Sequence, residues 1–249
     1  MNDRSLPPLG ATRLIGDSFR FLFANFGLLF PLALVPALLV QAASIALLPD
    51  ASLDPEAPIS LGPGFAIVSI GGSLVWYLTL AVMSLLIVDL AAGGRRSLDS
   101  YLREVLPHTF TLLVLGLLIS FAAALGFLLF IIPGLYIAAQ FFVWVQCVTV
   151  ENEGMAGLGR AQTLTKGYRW PIAGAMLLIG VMAVGVLLVL TPAIAANAES
   201  AGGLILSLLS ALLEALLYAV FGVYTTLVYL RLREIKDGVG PADIAAGAT

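Results

Sequence analysis

Along most of this chain the apolar positions neither alternate nor fall into narrow helical stripes. They run in long blocks separated by short polar segments. A helix needs about 20 apolar residues to cross a hydrocarbon core. Six stretches qualify, near residues 26–48, 64–92, 109–132, 134–150, 170–191 and 203–230. The third and fourth form one apolar block from Thr109 to Val150. As a single helix that block would be about 63 Å long, which is two crossings. Pro133-Gly134 supplies the expected turn, with proline at position i+1 and glycine taking the positive φ at i+2. The fourth stretch is the shortest, so a re-entrant pair is the alternative. Pro31 and Pro36 fall inside the first span and predict a kink there, whereas Pro171 sits in the first turn of the fifth, where a missing N–H costs little.

The segments between the blocks have a different period. Residues near 11–25, 97–107 and 154–169 mix Leu, Phe or Tyr with Arg, Lys, Ser and Thr. Short amphipathic helices with basic polar faces lie in the headgroup plane. Each precedes a pair of spans, which gives three units of one interfacial helix plus one hairpin, starting near 11, 97 and 154. The expected fold is all-α: a polytopic membrane helix bundle of about six transmembrane helices, with short amphipathic interfacial helices on the cytoplasmic side. It forms one domain over residues 1–249.

Charge sets the orientation. Only 11% of the residues are charged and 60% are hydrophobic, against about 25% charged in a soluble domain. All twelve basic residues fall on one side of the six-span scheme, from Arg4, Arg13 and Arg20 through Arg103 to Arg231, Arg233 and Lys236. The other side carries Asp50, Asp54, Glu56 and Glu199 and no basic residue. The basic side is expected in the cytoplasm, with both termini. Roughly 25 mixed residues precede the first block, so it reads as a retained span and not a signal peptide. A net charge of −3 gives no general attraction to nucleic acid. Arginine-rich, alanine-rich usage suits a bacterial source.

Candidate chemistry is sparse. Glu214 lies near the middle of the sixth span, and an ionisable group at that depth is costly unless paired, hydrated or protonated. Ser210, Glu214, Tyr218, Gly222 and Thr226 form one i+4 row, which predicts a small, polar face turned into protein. Its readings are a proton, cation or ligand-headgroup site, or a neutral hydrogen-bonded carboxyl that fixes helix packing. Gln140 and Gln146, six residues apart, point to different faces of the fourth span, and one of them is placed to bond across to another helix. Asp89 precedes Arg95 and Arg96 closely enough to pair at the interface. Arg160, Lys166, Arg169, Arg95 and Arg96 are the candidate headgroup-binding residues. Gly116, Ser120 and Ala124 form a small-residue row that lets a neighbouring backbone approach. One histidine, His108, and one cysteine, Cys147, leave no disulfide and no clustered metal site. Phosphate loop, HExxH and nucleophile-elbow motifs are lacking, so no catalytic residue, metal or cofactor is expected and the chain reads as a non-enzyme.

Four segments resemble a known family: GDSFRFLFANFG before the first span, IIPGLYIAAQFF at the third–fourth hairpin, GLGRAQTLTKGYRW, and the ending VYLRLREIKDG. In this order they resemble the YciC-like bacterial inner-membrane family, and the membrane domain fused to some glycerophosphodiester phosphodiesterases. The chain departs from the family at Gln162-Thr163, where an aromatic–Arg pair is usual. The resemblance implies a multi-pass inner-membrane protein with a role in envelope or lipid homeostasis, with membrane lipids as partners. Two alternatives stand beside that scaffold role. One is a small-solute or lipid transporter using Glu214. The other is an accessory subunit packed against other membrane chains or its own copies.

Overall fold

The computed structural model describes residues 8–47, 62–196 and 201–247. Arg4, Asp50, Asp54, Glu56 and Glu199 lie outside the described residues. The helices are α1 (Ala11–Ala24), α2 (Phe26–Leu47), α3 (Pro63–Ala91), α4 (Leu98–Val105), α5 (Thr109–Leu129), α6 (Ile131–Gln140), α7 (Trp144–Thr149), α8 (Gly157–Thr165), α9 (Arg169–Ala196), α10 (Ala201–Asp237) and α11 (Pro241–Ala245). Among the described residues there is no strand. Five helical segments are long and apolar enough to cross a membrane, or six with the bent pair α8–α9. The protein is an all-α membrane helix bundle that crosses several times.

Local chemistry explains the joints. Ala11, Ser18 and Leu22 make the buried stripe of α1, and its Arg13 and Arg20 face out. Asn25 forms the corner between α1 and α2. Its backbone N–H and its side-chain amide both bond back to the Phe21 carbonyl, and its own carbonyl accepts from Leu28 and Leu29. Ser97 caps α4, with Asp99 in the first turn and Arg103 in the last, as the helix dipole favours. Tyr101 and Val105 of α4 point into protein, while Leu98, Leu102 and Leu106 form an exposed apolar row. A helix with one apolar edge in protein and another outside suits the membrane surface. Between α8 and α9 the chain bends by 100° at Lys166-Gly167, where Gly167 takes φ +92°.

The α5–α6 hairpin corrects one expectation. Pro133 and Gly134 are not the turn; both lie inside α6, and the break is at Phe130, whose backbone is fully extended. Proline fits there because N–H groups of a first helical turn have no intrahelical partner anyway. Gly134 has a packing role. A Cβ on Gly126 would meet the Gly134 Cα at 2.9 Å, so the two glycines let the hairpin arms touch. The small-residue row in α5 also packs within this chain. Gly116 lies against the Tyr77 ring, and Tyr77 Oη and Ser120 Oγ are 3.2 Å apart.

Packing is unequal along the bundle. Every residue of α3 from Thr79 to Asp89 is buried, whereas Phe65, Ile67 and Ile70 near its start are exposed. In α10, Tyr218, Val223, Tyr224, Val228 and Leu232 are buried, but Ile205, Leu208, Leu209 and Leu212 are exposed. In both helices the buried side chains gather toward the basic end and the exposed apolar ones toward the other.

Candidate headgroup face and buried polar residues

The basic segments meet at one end. Arg13 and Asp17 of α1 share a cavity with Arg231 of α10. Arg160 of α8 pairs with Asp237 of α10, and Lys236 Nζ donates to the Lys166 carbonyl at 2.9 Å. Both α4 and α11 pack on α3.

Charge at this end divides into answered and unanswered cations. Glu151, buried at the end of α7, accepts from Arg160 Nε at 2.7 Å, and Arg233 Nη1 lies 2.9 Å from the same oxygen. Asp237 pairs with the same two arginines. Two acids and two arginines close a neutral network joining α7, α8 and α10, with Arg233 and Glu151 buried and Arg160 and Asp237 at its outer side. The sequence reading did not find this network; its residues lie far apart along the chain. A second group forms at the end of α3. Arg96 Nε donates to Asp89 at 2.7 Å and its Nη1 to Glu104 at 2.6 Å, while the Tyr101 hydroxyl donates to Asp89 at 2.8 Å. Burial alone would lower the Arg96 pKa, but its bonds to Asp89 and Glu104 outweigh that and hold it above its ordinary value. Its charge is therefore fixed.

Of the five sequence-derived headgroup residues, Arg96 and Arg160 are thus tied to carboxylates. Arg95, Lys166 and Arg169 have no acidic partner among the described residues. Arg169 Nη1 donates to the Tyr136 hydroxyl at 2.9 Å, and its Nε is buried without a hydrogen-bond partner among the described residues. Lys166, Arg169, Tyr136 and the exposed Trp170 frame a cavity of about 260 Å³ at the α8–α9 bend.

The spans place the other candidates differently from expectation. Glu214 is not buried in protein: its residue is exposed, although Ala215 beside it is fully buried. The predicted i+4 row is turned inward only from Tyr218 onward, through Gly222 and Thr226; Ser210 is half-buried. Glu214 still borders a cavity of about 140 Å³, with Gln41, Trp76 and Tyr218. The Tyr218 hydroxyl donates to the Trp76 carbonyl. Gln140 contributes its backbone, not its amide. Its carbonyl, freed where the helix breaks at Phe141–Val143, accepts from Thr165 Oγ1 at 2.8 Å. Gln146 is the residue that bonds across helices. Its Nε2 donates to Ser84 Oγ at 3.0 Å and Thr225 Oγ1 at 3.2 Å, which ties α7 to α3 and α10. His108 lies in a 3₁₀ turn before α5, and Cys147 is fully buried. Among the described residues no group of His, Cys, Asp or Glu is arranged to hold a metal ion.

Comparison with family models, curated proteins and solved structures finds no match, so the chemistry of this face is read from its own residues.

Proposed function

We propose that this chain is a non-enzymatic protein of a bacterial inner membrane that organises anionic lipid at its basic, cytoplasmic end. The observation that carries this reading is the division of cations. Arg96, Arg160 and Arg233 are matched to carboxylates, while the exposed Arg95, Lys166 and Lys236 and the half-buried Arg169 have none among the described residues. A surface-proximal Lys or Arg contributes about 1 kcal/mol of attraction to an anionic leaflet. Arg95 precedes α4 and Lys166 follows α8, short helices of a kind that suits headgroup depth. The resemblance of its motif order to the YciC-like family implies the same assignment to envelope or lipid homeostasis. The test is reconstitution into nanodiscs of mixed neutral and anionic phospholipid. Anionic lipid should be enriched around the wild type at low salt, and the enrichment should fall several-fold at high salt and in Lys166→Glu/Arg169→Glu. Salt-insensitive enrichment would refute it.

Glu214 supports a second reading, a small transporter. A carboxylate beside Trp76, Tyr218 and Gln41, on a membrane-spanning helix, is an arrangement that suits a cation. Proteoliposomes should then show cation flux that Glu214→Gln abolishes; no flux in wild type across a broad panel would end this reading.

A further inference from the structure

Between α2, the end of α3 and the start of α4 lies a cavity of about 390 Å³. Its walls are apolar, with Leu28, Leu32 and Val35 on one side and Leu86 on another. Pro31 and Pro36 also line it, and as prolines they leave the Gly27 and Leu32 carbonyls without their usual helical donors. Leu28 to Pro36 spans about 12 Å of helix. The groove therefore runs from the start of α2 well into the hydrocarbon. Arg95, Arg96 and Tyr101 also line it, at its polar end.

The two arginines differ. Arg96 is fixed by Asp89 and Glu104, whose two negative charges exceed its one positive charge. Arg95 is exposed and has no acidic partner among the described residues. The result is one exposed guanidinium with no carboxylate of its own at the end of a long apolar slot, although Asp89 and Glu104 make the polar end neutral as a whole.

We propose that this groove is a specific site for one anionic phospholipid, with its phosphate at Arg95 and an acyl chain along α2. Charge and apolar length together select that occupant. Inorganic phosphate would gain nothing from the apolar walls. A neutral lipid would gain nothing from Arg95 beyond what its own ammonium group cancels. The proposal deepens the lipid-organising reading and rests on it for the membrane setting, but it concerns one retained molecule, not the surrounding annulus.

The experiment is native mass spectrometry of the full-length protein, delipidated in neutral detergent and titrated with phosphatidylglycerol or phosphatidylcholine of identical chains. The expected result is one retained phosphatidylglycerol, with a preference of about fivefold over phosphatidylcholine, the size of one surface charge. Arg95→Gln should erase the preference. Val35→Trp should fill the slot and release both lipids, while Lys166→Gln should leave the retained lipid in place. Equal retention of the two lipids by wild type, or an Arg95→Gln variant that keeps the preference, overturns the proposal. Displacement of the lipid by millimolar inorganic phosphate also overturns it. If nanodisc enrichment stays salt-dependent while no single lipid is retained, the groove fails and the wider reading stands. The reverse pattern sinks the wider reading alone.

Discussion

Arg233 is the largest of the fully buried side chains, and its burial is tolerable only because Glu151 and Asp237 meet it. Removing one partner from such a network leaves an uncompensated buried charge, at a cost of about 3 kcal/mol. Glu151→Ala should therefore lower the thermal midpoint in detergent sharply, and more than Asp99→Ala, whose pair with Arg103 is exposed. Differential scanning fluorimetry of the two variants checks this. Gln146 should matter less. Gln146→Leu removes the bonds to Ser84 and Thr225 but leaves hydroxyls that bond to their own helices, so a loss of about 1 kcal/mol is expected. A loss as large as that of Glu151→Ala would mean that the Gln146 amide does more than tie helices. At this scale the sequence was partly legible. Asp89 could be paired with nearby arginines by distance along the chain. Glu151, Arg233 and Asp237 could not, because only the docking of α7 and α8 on α10 brings them together.

The element boundaries were the most legible part. Bilayer thickness demands long apolar runs, and few other constraints produce them. The expected first span, residues 26–48, and α2, Phe26–Leu47, differ by one residue. What the pattern could not give was the detail of the α5–α6 joint. Pro-Gly is a turn signal in isolation, yet proline is equally at home in the first turn of a helix, and here the extended Phe130 reverses the chain. The distinction is testable. Pro133→Ala should be nearly silent, since it removes no hydrogen bond. Gly134→Val should be costly, by about 2 kcal/mol, because its side chain would enter the Phe127 ring. Monodisperse yield after size exclusion would separate the two; equal behaviour would argue that Gly134 is in the turn after all. The interruption at Phe141–Val143 left no mark in the sequence, since its residues are as apolar as those of any span.

For the whole molecule, the lateral position of each helix decides what Glu214 meets, and periodicity carries no information about that. The row Ser210–Thr226 was identifiable; that Ser210 and Glu214 would stay accessible at its start was not. The uneven burial predicts unequal access of lipid to the tryptophans. In single-tryptophan variants, brominated acyl chains should quench Trp76, which is 39% exposed, more than Trp144, which is 8% exposed. Equal quenching would mean that the bundle closes in a bilayer. If it stays open, its two halves differ in stiffness. One leaflet meets the densely buried half of α3 and α10, and the other meets their more exposed half. Tension or thinning of the bilayer would then be absorbed in the loose half, beside Trp76 and Glu214, while the basic half moved as a block.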